Sequence, residues 1–453
     1  MSRATPWAAL AALVLAAPAA RADFNAALAD YKAGHYDSAR RAFSSMAELG
    51  DCSSQFNLGV MTLQGQGGPK NIGAGVGWLK AAADNGCQEL VGGRVAALSG
   101  SLSAQEQQAA ADIATRYGHT ALRTQGVVEP ALDCRERVPA AVSSAVAPEY
   151  PASVKGRNAL VVAELTIGVD GHPRDPEILL SAPEPVFAAA AIEAWMHSRF
   201  TPAMYAGTPV ESRLQVRLPF NIAGGEPLWS SPQYKDARAN AEAGDPQAAY
   251  LVGVAASADA GPGVGPAHGT QLLIDAARDG NAHAQYWLAL QLRAVRLCHP
   301  DNRGTTWLEH AAAGGDTAAQ LALAQDLTMS APSEEQLRRA RALLDSAGAS
   351  DSYYVLKHVL ALRAASPLDA LRDVATAQQL AARLAAGEVQ SDPQLFEALA
   401  AAAAAGDDLA GAVARQQTAI RKAHELGWDT RAMEQRLAAY KDHRAWRGDL
   451  FGP

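Results

Sequence analysis

The sequence predicts a multidomain protein in which two α-helical repeat solenoids flank a small α+β domain. Its 453 residues exceed what one hydrophobic core usually organises, so roughly two to four domains are expected. A glycine pattern recurs with a spacing near 36 residues, which is typical of helix pairs. Residues 161–180, "VVAELTIGVDGHPRDPEILL", leave the helical pattern and indicate a β-hairpin.

A signal peptide is predicted over residues 1–22. Arg3 gives a short positive region, residues 7–17 are apolar, and Ala20 and Ala22 are the small residues that a signal peptidase reads. The alternative is an uncleaved membrane anchor, but this apolar stretch is well short of the ~20 residues that span a bilayer. We therefore expect an exported protein with no stable membrane span after signal cleavage.

Composition and charge exclude two broad classes of protein. Hydrophobic residues make up 49% of the chain and charged residues 19%, which is too apolar for wholesale disorder. The formal net charge of -8 offers no general attraction for phosphate backbones. We therefore expect no nucleic-acid partner.

The four cysteines suit an oxidising compartment but are too few to build a fold from disulfides. Cys52, Cys87, Cys134 and Cys298 allow three full connectivities, and spacing alone does not choose among them. A bridge between Cys52 and Cys87 is suggested because both occupy similar places in successive repeats.

The same repeat unit occurs on both sides of the hairpin. Gly50 begins "GDCSSQFNLG" and Gly244 begins "GDPQAAYLVG", and each is followed by a second glycine, Gly59 or Gly253. The first glycine is expected to end one helix, and the Asp or Asn after it to cap the next. Alanines between them let neighbouring helices approach closely.

The fullest copy, residues 58–86, resembles the Sel-one-like repeat, a relative of the tetratricopeptide (TPR) repeat. We expect Sel-one-like/TPR-like helices over residues 23–118, a linker over 119–142, Sel-one-like helices over 234–365 and TPR-like C-terminal helices over 366–453. Stacked helix pairs present concave surfaces that usually hold peptides or protein partners. The alternative is that the arrays are spacers that only position other domains.

The segment between the arrays predicts strand, strand, helix, strand. Residues 159–169 are β-branched and apolar, and Asp170-Gly171 is a strong tight-turn signal before a second strand. Residues 186–199 follow as a helix with apolar residues on one face. Residues 208–220 then return to a strand pattern.

Apolar and polar residues alternate along that last strand. Leu214, Val216, Leu218 and Phe220 share one face, and Arg213, Gln215 and Arg217 share the other. Polar residues on an exposed strand face are ordinary, and long cations discourage aggregation at sheet edges. The alternative is that these polar residues contact a partner.

Four motifs follow one another along this segment: "PEYP" at 148–151, "LVVAELTIGVDGHPRDPEILLS", "AAAIEA" and "RFTPAMYAGTPVESRLQVRLPFNI" at 199–222. In these motifs and their order the segment resembles the C-terminal domain of the TonB family of energy transducers. The resemblance implies an α+β domain over residues 143–223 whose last strand lies at the sheet edge. There, family members pair with an extended peptide of an outer-membrane receptor. Carried across, the peptide-binding strand is Arg213, Leu214, Gln215, Val216 and Arg217, and the domain motif is Tyr150, Pro151, Asp170, Gly171, Arg199, Phe200 and Pro202.

The chain also departs from the family pattern. Ser198 occupies a place where members commonly have Trp, and a cleavable signal and helical repeats replace the membrane anchor and the proline-rich linker. We therefore expect a periplasmic adaptor for protein or peptide partners, such as an outer-membrane receptor segment, rather than an energy transducer. The alternative is a repeat-based scaffold for envelope assembly in which the TonB-like domain is structural.

No pattern in the sequence predicts catalysis, a metal or a cofactor. There is no HExxH or G-x-S-x-G motif at a suitable turn. His283, Cys298, His299 and His310 lie within one repeat, but their scattered spacing is unlike that of a metal site. An envelope enzyme is kept as a third hypothesis, which needs clustered carboxylates or a bound metal.

Overall fold

The computed structural model describes residues 22–128, 130, 132, 134–154, 158–221, 230–258, 265–296, 298 and 304–451. The predicted signal peptide lies outside the described residues except for its last one. The chain divides into two compact units. The first, here the repeat unit, comprises Met1–Cys134, Pro232–Ser257 and Gly263–Gly314. The second, here the composite unit, comprises Arg135–Ser231, Ala258–Pro262 and Gly315–Pro453.

The described helices follow the predicted glycine boundaries. In chain order they are α1 Ala22–Ala33, α2 Tyr36–Glu48, α3 Cys52–Gln64, α4 Ile72–Ala82, α5 Gln88–Val91, α6 Arg94–Ser99, α7 Ala104–Tyr117, α8 His119–Thr124, α9 Phe187–His197, α10 Pro232–Glu242, α11 Pro246–Ser257, α12 Pro266–Arg278, α13 Ala282–Ala294, α14 Gly304–Ala313, α15 Thr317–Thr328, α16 Glu334–Ala347, α17 Tyr353–Ala365, α18 Val374–Ala385, α19 Pro393–Ala405, α20 Leu409–Leu426 and α21 Arg431–Lys441. A π-helical turn, Ala83–Cys87, follows α4, and a 3-10 turn, Asp369–Leu371, follows α17. Within the described residues, every helix is too short or too polar to cross a membrane.

The repeat unit uses its glycines in two ways. Gly280 has a φ of +97° at the end of α12, and the side chain of Asn281 then caps α13 by accepting the Ala284 N–H at 2.8 Å. Gly253 lies inside α11, where an added Cβ would come within 2.8 Å of Leu273 on α12. The predicted helix end is therefore confirmed, and the close approach of α12 at Gly253 adds a role that the sequence assigned only to the alanines.

Two disulfides lie within the repeat unit. Cys52 at the start of α3 is bonded to Cys87 at the end of the π-helical turn, as its place in the repeats suggested. Cys134 is bonded to Cys298, far along the chain. The first bridge therefore joins two helical segments, and the second joins residue 134, which follows α8, to residue 298, which follows α13.

The composite unit contains the strands. They are β1 Arg137–Val138, β2 Ala141–Ser144, β3 Ala159–Ile167, β4 Pro173–Ala182, β5 Arg199–Thr201, β6 Ala203–Tyr205, β7 Thr208–Val210 and β8 Ser212–Phe220. The central sheet has the order β4-β3-β8, while β1, β6 and β7 form a second sheet and β2 pairs with β5. The predicted order strand, strand, helix, strand is confirmed for β3, β4, α9 and β8.

Two predicted boundaries need correction. Residues 119–142, expected as a linker, contain α8, β1 and the start of β2. The expected array of residues 234–365 is divided between the two units after Gly314. Helices α15 to α21 belong to the same unit as the sheet, because the sheet and these helices share buried side chains that the sequence pattern does not pair.

Candidate functional site

Strand β8 is the terminal strand of the central sheet. It runs antiparallel to β3, with Ala163 opposite Val216 and Leu165 opposite Leu214. In the described part of the chain, the order β4-β3-β8 leaves the other side of β8 at the sheet edge. The edge position implied by the resemblance is therefore present.

One face of β8 packs into the core of the α+β domain. Val216 and Phe220 are buried there with Trp195 of α9, and Leu214 and Leu218 pack against the same core. Tyr150 contributes to it as well, with its ring 5.6 Å from that of Phe187 and 6.2 Å from that of Phe220. Tyr150 therefore packs against the core. Pro151 next to it begins a turn, in which the carbonyl of Pro151 accepts the N–H of Val154.

A groove of about 370 Å³ runs beside β8 and is lined by residues 141–146 and 214–218. Its rim carries two exposed apolar side chains, Val142 at 52% and Val146 at 40%. Trp195 lies in its floor and is almost fully buried. An apolar groove next to a sheet edge is the geometry with which an added strand gains both hydrogen bonds and side-chain contacts.

Ser198, which stands where TonB family members commonly have Trp, holds the far wall of this groove. Its hydroxyl donates to the carbonyl of Ala194 at 2.8 Å and accepts the N–H of Val146 at 3.0 Å. The small side chain therefore ties residue 146 to the end of α9 and leaves room beside β8.

Arg213 does not belong to the groove. Its guanidinium Nε donates to Glu164 at 2.6 Å, and a second nitrogen donates to Glu177. It also lies 5.9 Å from the ring of Tyr354 on α17. This side chain lies on the opposite face of the sheet, beneath a C-terminal helix, and its contact with a peptide stays a prediction. Gln215 and Arg217 do line the groove.

The acidic partner of Arg213 has an unusual ionisation. Burial raises the pKa of Glu177 from 4.5 to about 7. The positive charge of Arg213 opposes this change, whereas the negative charges of Glu164 and Asp316 add to it. Glu177 is therefore partly protonated near neutral pH, and one cation faces two carboxyl groups.

A second buried cluster joins β4 to the C-terminal helices. Here called the Lys357 cluster, it comprises Asp175, Lys357, His358 and Asp392. Lys357, which is fully buried, lies 2.9 Å from Asp392 and 3.1 Å from Asp175, and His358 lies 2.8 Å from Asp175. Burial alone would raise the pKa of Asp175, but Lys357 and His358 outweigh it and hold that pKa well below its usual range. The sequence analysis missed this cluster, although a Lys-His pair in the largely apolar helix α17 is a signal for it.

The remaining motif residues support the fold, and among them Phe200 also lines the groove. Gly171 has a φ of +77°, and an added Cβ would lie 2.3 Å from the carbonyl oxygen of Phe200. Asp170 pairs with Arg174 at 2.7 Å in the same turn. Arg199 donates to the carbonyl of Leu426 at the end of α20. Phe200 is buried in the core and Pro202 follows it between β5 and β6.

The candidate metal ligands have separate surroundings. Cys298 is bonded to Cys134, the ring of His283 stacks beside Tyr250, and His310 is hydrogen-bonded to Ser45. His299 lies outside the described residues. Across the described ranges, no group of three or more His, Cys, Asp or Glu side chains is placed to hold a metal ion.

Comparisons with known proteins agree with this description of the sheet. Residues 146–222 match the family model of the Gram-negative bacterial TonB protein C-terminal. The matched region runs from the groove wall through β8. The chain therefore contains a TonB C-terminal domain, set among helix pairs.

A solved structure that matches this chain is that of a protective antigen present in uropathogenic Escherichia coli strains, described as displaying an SLR fold. It is 14% identical, the alignment covers 93% of this chain and 84% of that chain, and the TM-score is 0.32. A comparison with curated proteins gives no match.

Proposed function

We propose that this protein is a periplasmic adaptor whose TonB C-terminal domain binds an extended segment of an envelope or outer-membrane protein along β8. The observation that carries the proposal is the groove beside the terminal strand of the sheet, with Val142 and Val146 exposed on its rim. Main-chain hydrogen bonds to β8 would supply affinity, and the apolar rim would select alternate side chains of the added strand.

The location follows from the same domain. The matched family model describes a Gram-negative bacterial protein, and the predicted signal peptide would deliver the chain to the periplasm. N-terminal sequencing of the protein from a periplasmic extract tests this: a mature end near residue 23 supports export with cleavage, and an intact Met1 in the membrane fraction contradicts it.

Peptide binding is tested on the full chain by isothermal titration calorimetry. The probe is a synthetic peptide as long as β8, taken from the periplasm-facing segment of an outer-membrane receptor. A matched peptide with N-methyl groups on alternate residues keeps the side chains but loses main-chain donors. We expect the first peptide to bind and the N-methyl peptide to bind at least about tenfold more weakly, since strand addition depends on those donors.

A matched pair of variants locates the site. Val142→Asp places a charge on the groove rim and should weaken binding by about tenfold or more. Val169→Asp changes an equally exposed valine, at 59%, in the hairpin turn of the same domain and should leave binding unchanged. Absence of binding by the wild-type chain at millimolar peptide would contradict the proposal.

A second function is favoured by the Lys357 cluster. Because it fixes β4 to α17 and α19, the TonB C-terminal domain can act as a brace, with partners bound by the helix pairs instead. On this alternative, crosslinking in intact cells recovers the same partners from wild type and from Val142→Asp. Substitutions on exposed helix faces of the repeat unit would then remove those partners.

A further inference from the structure

The groove beside β8 has a second strand along its other wall. That wall consists of β2 and the two residues after it, with Ala141, Val142, Ala145 and Val146 lining the groove. The pair β2-β5 is a two-stranded sheet, so β2, like β8, is a terminal strand in the described part of the chain. All of residues 141–147 are exposed. Two strand edges therefore lie on opposite sides of one groove.

Both walls meet the groove with their main-chain edge rather than with one face. Consecutive side chains of a strand point to opposite faces, so a ligand on one face of a strand contacts every second residue. Along β8, however, the consecutive residues 214–218 all line the groove, and along the other wall the neighbours 141–142 and 145–146 do so. Contact with neighbouring residues of both orientations is typical of a strand edge.

One hydrogen bond shows which main-chain groups of the β2 wall point into the groove. The N–H of Val146 donates to the hydroxyl of Ser198 at 3.0 Å, on the side of β5 and the end of α9. In an extended chain, successive N–H groups point in opposite directions. The N–H of Ala145 is therefore directed away from Ser198, toward the groove that Ala145 lines.

The groove has the dimensions of one extended chain. Residues 214–218 span about 13 Å of strand, so a volume of about 370 Å³ corresponds to a cross-section of roughly 28 Å². Neighbouring strands lie about 4.8 Å apart, so this cross-section is about one strand wide and roughly 6 Å deep. Pro219, the next residue of β8, has no N–H to donate and limits pairing beyond residue 218.

We propose that the segment bound beside β8 inserts between β8 and β2 and pairs with both strands. Its insertion joins the sheets β4-β3-β8 and β2-β5 into one. This inference rests on the proposed function and specifies its partner, a free extended segment with about five residues in the groove and no proline among them. The edge strand of a folded sheet has already used one of its two sides, so it does not fit between two walls. A tail or linker without its own sheet does.

The first test separates the two sides of the bound segment by calorimetry on the full chain. The probe is the receptor-derived peptide described above, made in two N-methyl forms, one methylated at odd positions and one at even positions. In an extended strand these two sets of N–H groups face opposite sides. We expect each form to bind at least about tenfold more weakly than the unmodified peptide.

The outcomes of this test separate the inference from the proposed function. If only one N-methyl form is weakened, the peptide pairs with a single strand, so the inference is overturned while the proposed function stands. If neither form is weakened, or if the unmodified peptide does not bind at millimolar concentration, both are overturned.

A hairpin peptide tests the kind of partner. The same sequence is placed as one strand of a disulfide-closed β-hairpin, which leaves only one of its sides unpaired. Insertion predicts that the hairpin binds at least about tenfold more weakly than the linear peptide. Pairing with β8 alone predicts equal or tighter binding, because the strand is already extended. Equal or tighter binding of the hairpin therefore overturns the inference and assigns the groove to the edge strand of a folded partner.

A pair of variants connects the result to the β2 wall. Ala145→Pro removes the N–H that faces the groove but keeps the bond from Val146 to Ser198, and should weaken the linear peptide by about two- to tenfold, the range for one hydrogen bond. Ala147→Pro changes an equally exposed alanine that does not line the groove and should bind like wild type. Unchanged binding by a folded Ala145→Pro overturns the inference. The two N-methyl peptides use only wild-type protein, so they decide the matter even if Ala145→Pro does not fold.

Discussion

Replacing Lys357 by Met should destabilise the composite unit strongly. The Lys357 ammonium is fully buried and lies 2.9 Å from Asp392, 2.7 Å from the side-chain oxygen of Gln394 and 3.1 Å from Asp175. Met fills a similar volume, so the main loss is the charge. Because Asp392 is also fully buried, the change leaves a carboxylate without its cation, which typically costs about 3–5 kcal/mol.

The assay is urea unfolding of the full chain, with hydrogen exchange to assign the transition. Peptides that cover β4 and α19 should lose protection at lower urea in Lys357→Met. The matched control is Arg383→Met, whose partner Asp351 is fully exposed, so its loss should cost less than about 1 kcal/mol. Adding Asp392→Asn to Lys357→Met should recover part of the loss, because it removes the carboxylate that has lost its cation, and Asn can still cap α19.

Two outcomes would refute this reasoning. If Lys357→Met and Arg383→Met lower the free energy of unfolding equally, the burial of the cluster has no energetic consequence. If Asp392→Asn makes Lys357→Met still less stable, the unpaired carboxylate of Asp392 was not the source of the loss. Either result would also weaken the second proposed function, since that function depends on β4 being fixed to the C-terminal helices.

Three further predictions concern single sites. Because the folded-state pKa of Glu177 is raised from 4.5 to about 7, its contribution to stability is present below pH 4.5 and lost as pH rises to 7. The free energy of unfolding of the wild type should therefore fall by about 3 kcal/mol between these two pH values, and this fall should be absent in Glu177→Gln. Gly171→Ala should lower the melting temperature more than Gly207→Ala, because both have positive φ but only at Gly171 would the Cβ meet backbone, and equal shifts would contradict this. Replacing Cys52 and Cys87 by Ser should cost about 4 kcal/mol by the loop-entropy estimate for their separation, measured by urea unfolding against the oxidised wild type; a change below about 1 kcal/mol would argue against the bridge.

The features that the sequence predicted correctly depend on local signals. The helix boundary at Gly280 needs only a positive φ at the glycine and a capping side chain at Asn281, and neighbouring residues determine both. The hairpin of β3 and β4 follows from the turn at Asp170-Gly171 and β-branched residues on either side. The alternation in β8 likewise predicted which side chains enter the core, because a strand has a period of two residues.

The features that the sequence did not predict depend on distant residues. Arg213 reads as one member of an exposed polar face until α17, more than a hundred residues later, is known to cover that face. Strands β1 and β2 are too short to give a periodic pattern, so residues 119–142 read as a linker. Three basic residues inside a largely apolar helix, Lys357, His358 and Arg363, were the signal that α17 needs acidic partners.

The two proposed functions place different demands on β8, and the structure makes those demands compatible. Strand addition uses the main chain at the edge and the apolar rim of the groove, while bracing uses Arg213 and the Lys357 cluster on the opposite side of the sheet. A strand already held by buried ion pairs loses little further conformational freedom when a peptide pairs with it, which lowers the entropic cost of binding. On the proposed function, the C-terminal helices therefore pre-organise the peptide site, and fixing the sheet does not argue against peptide binding.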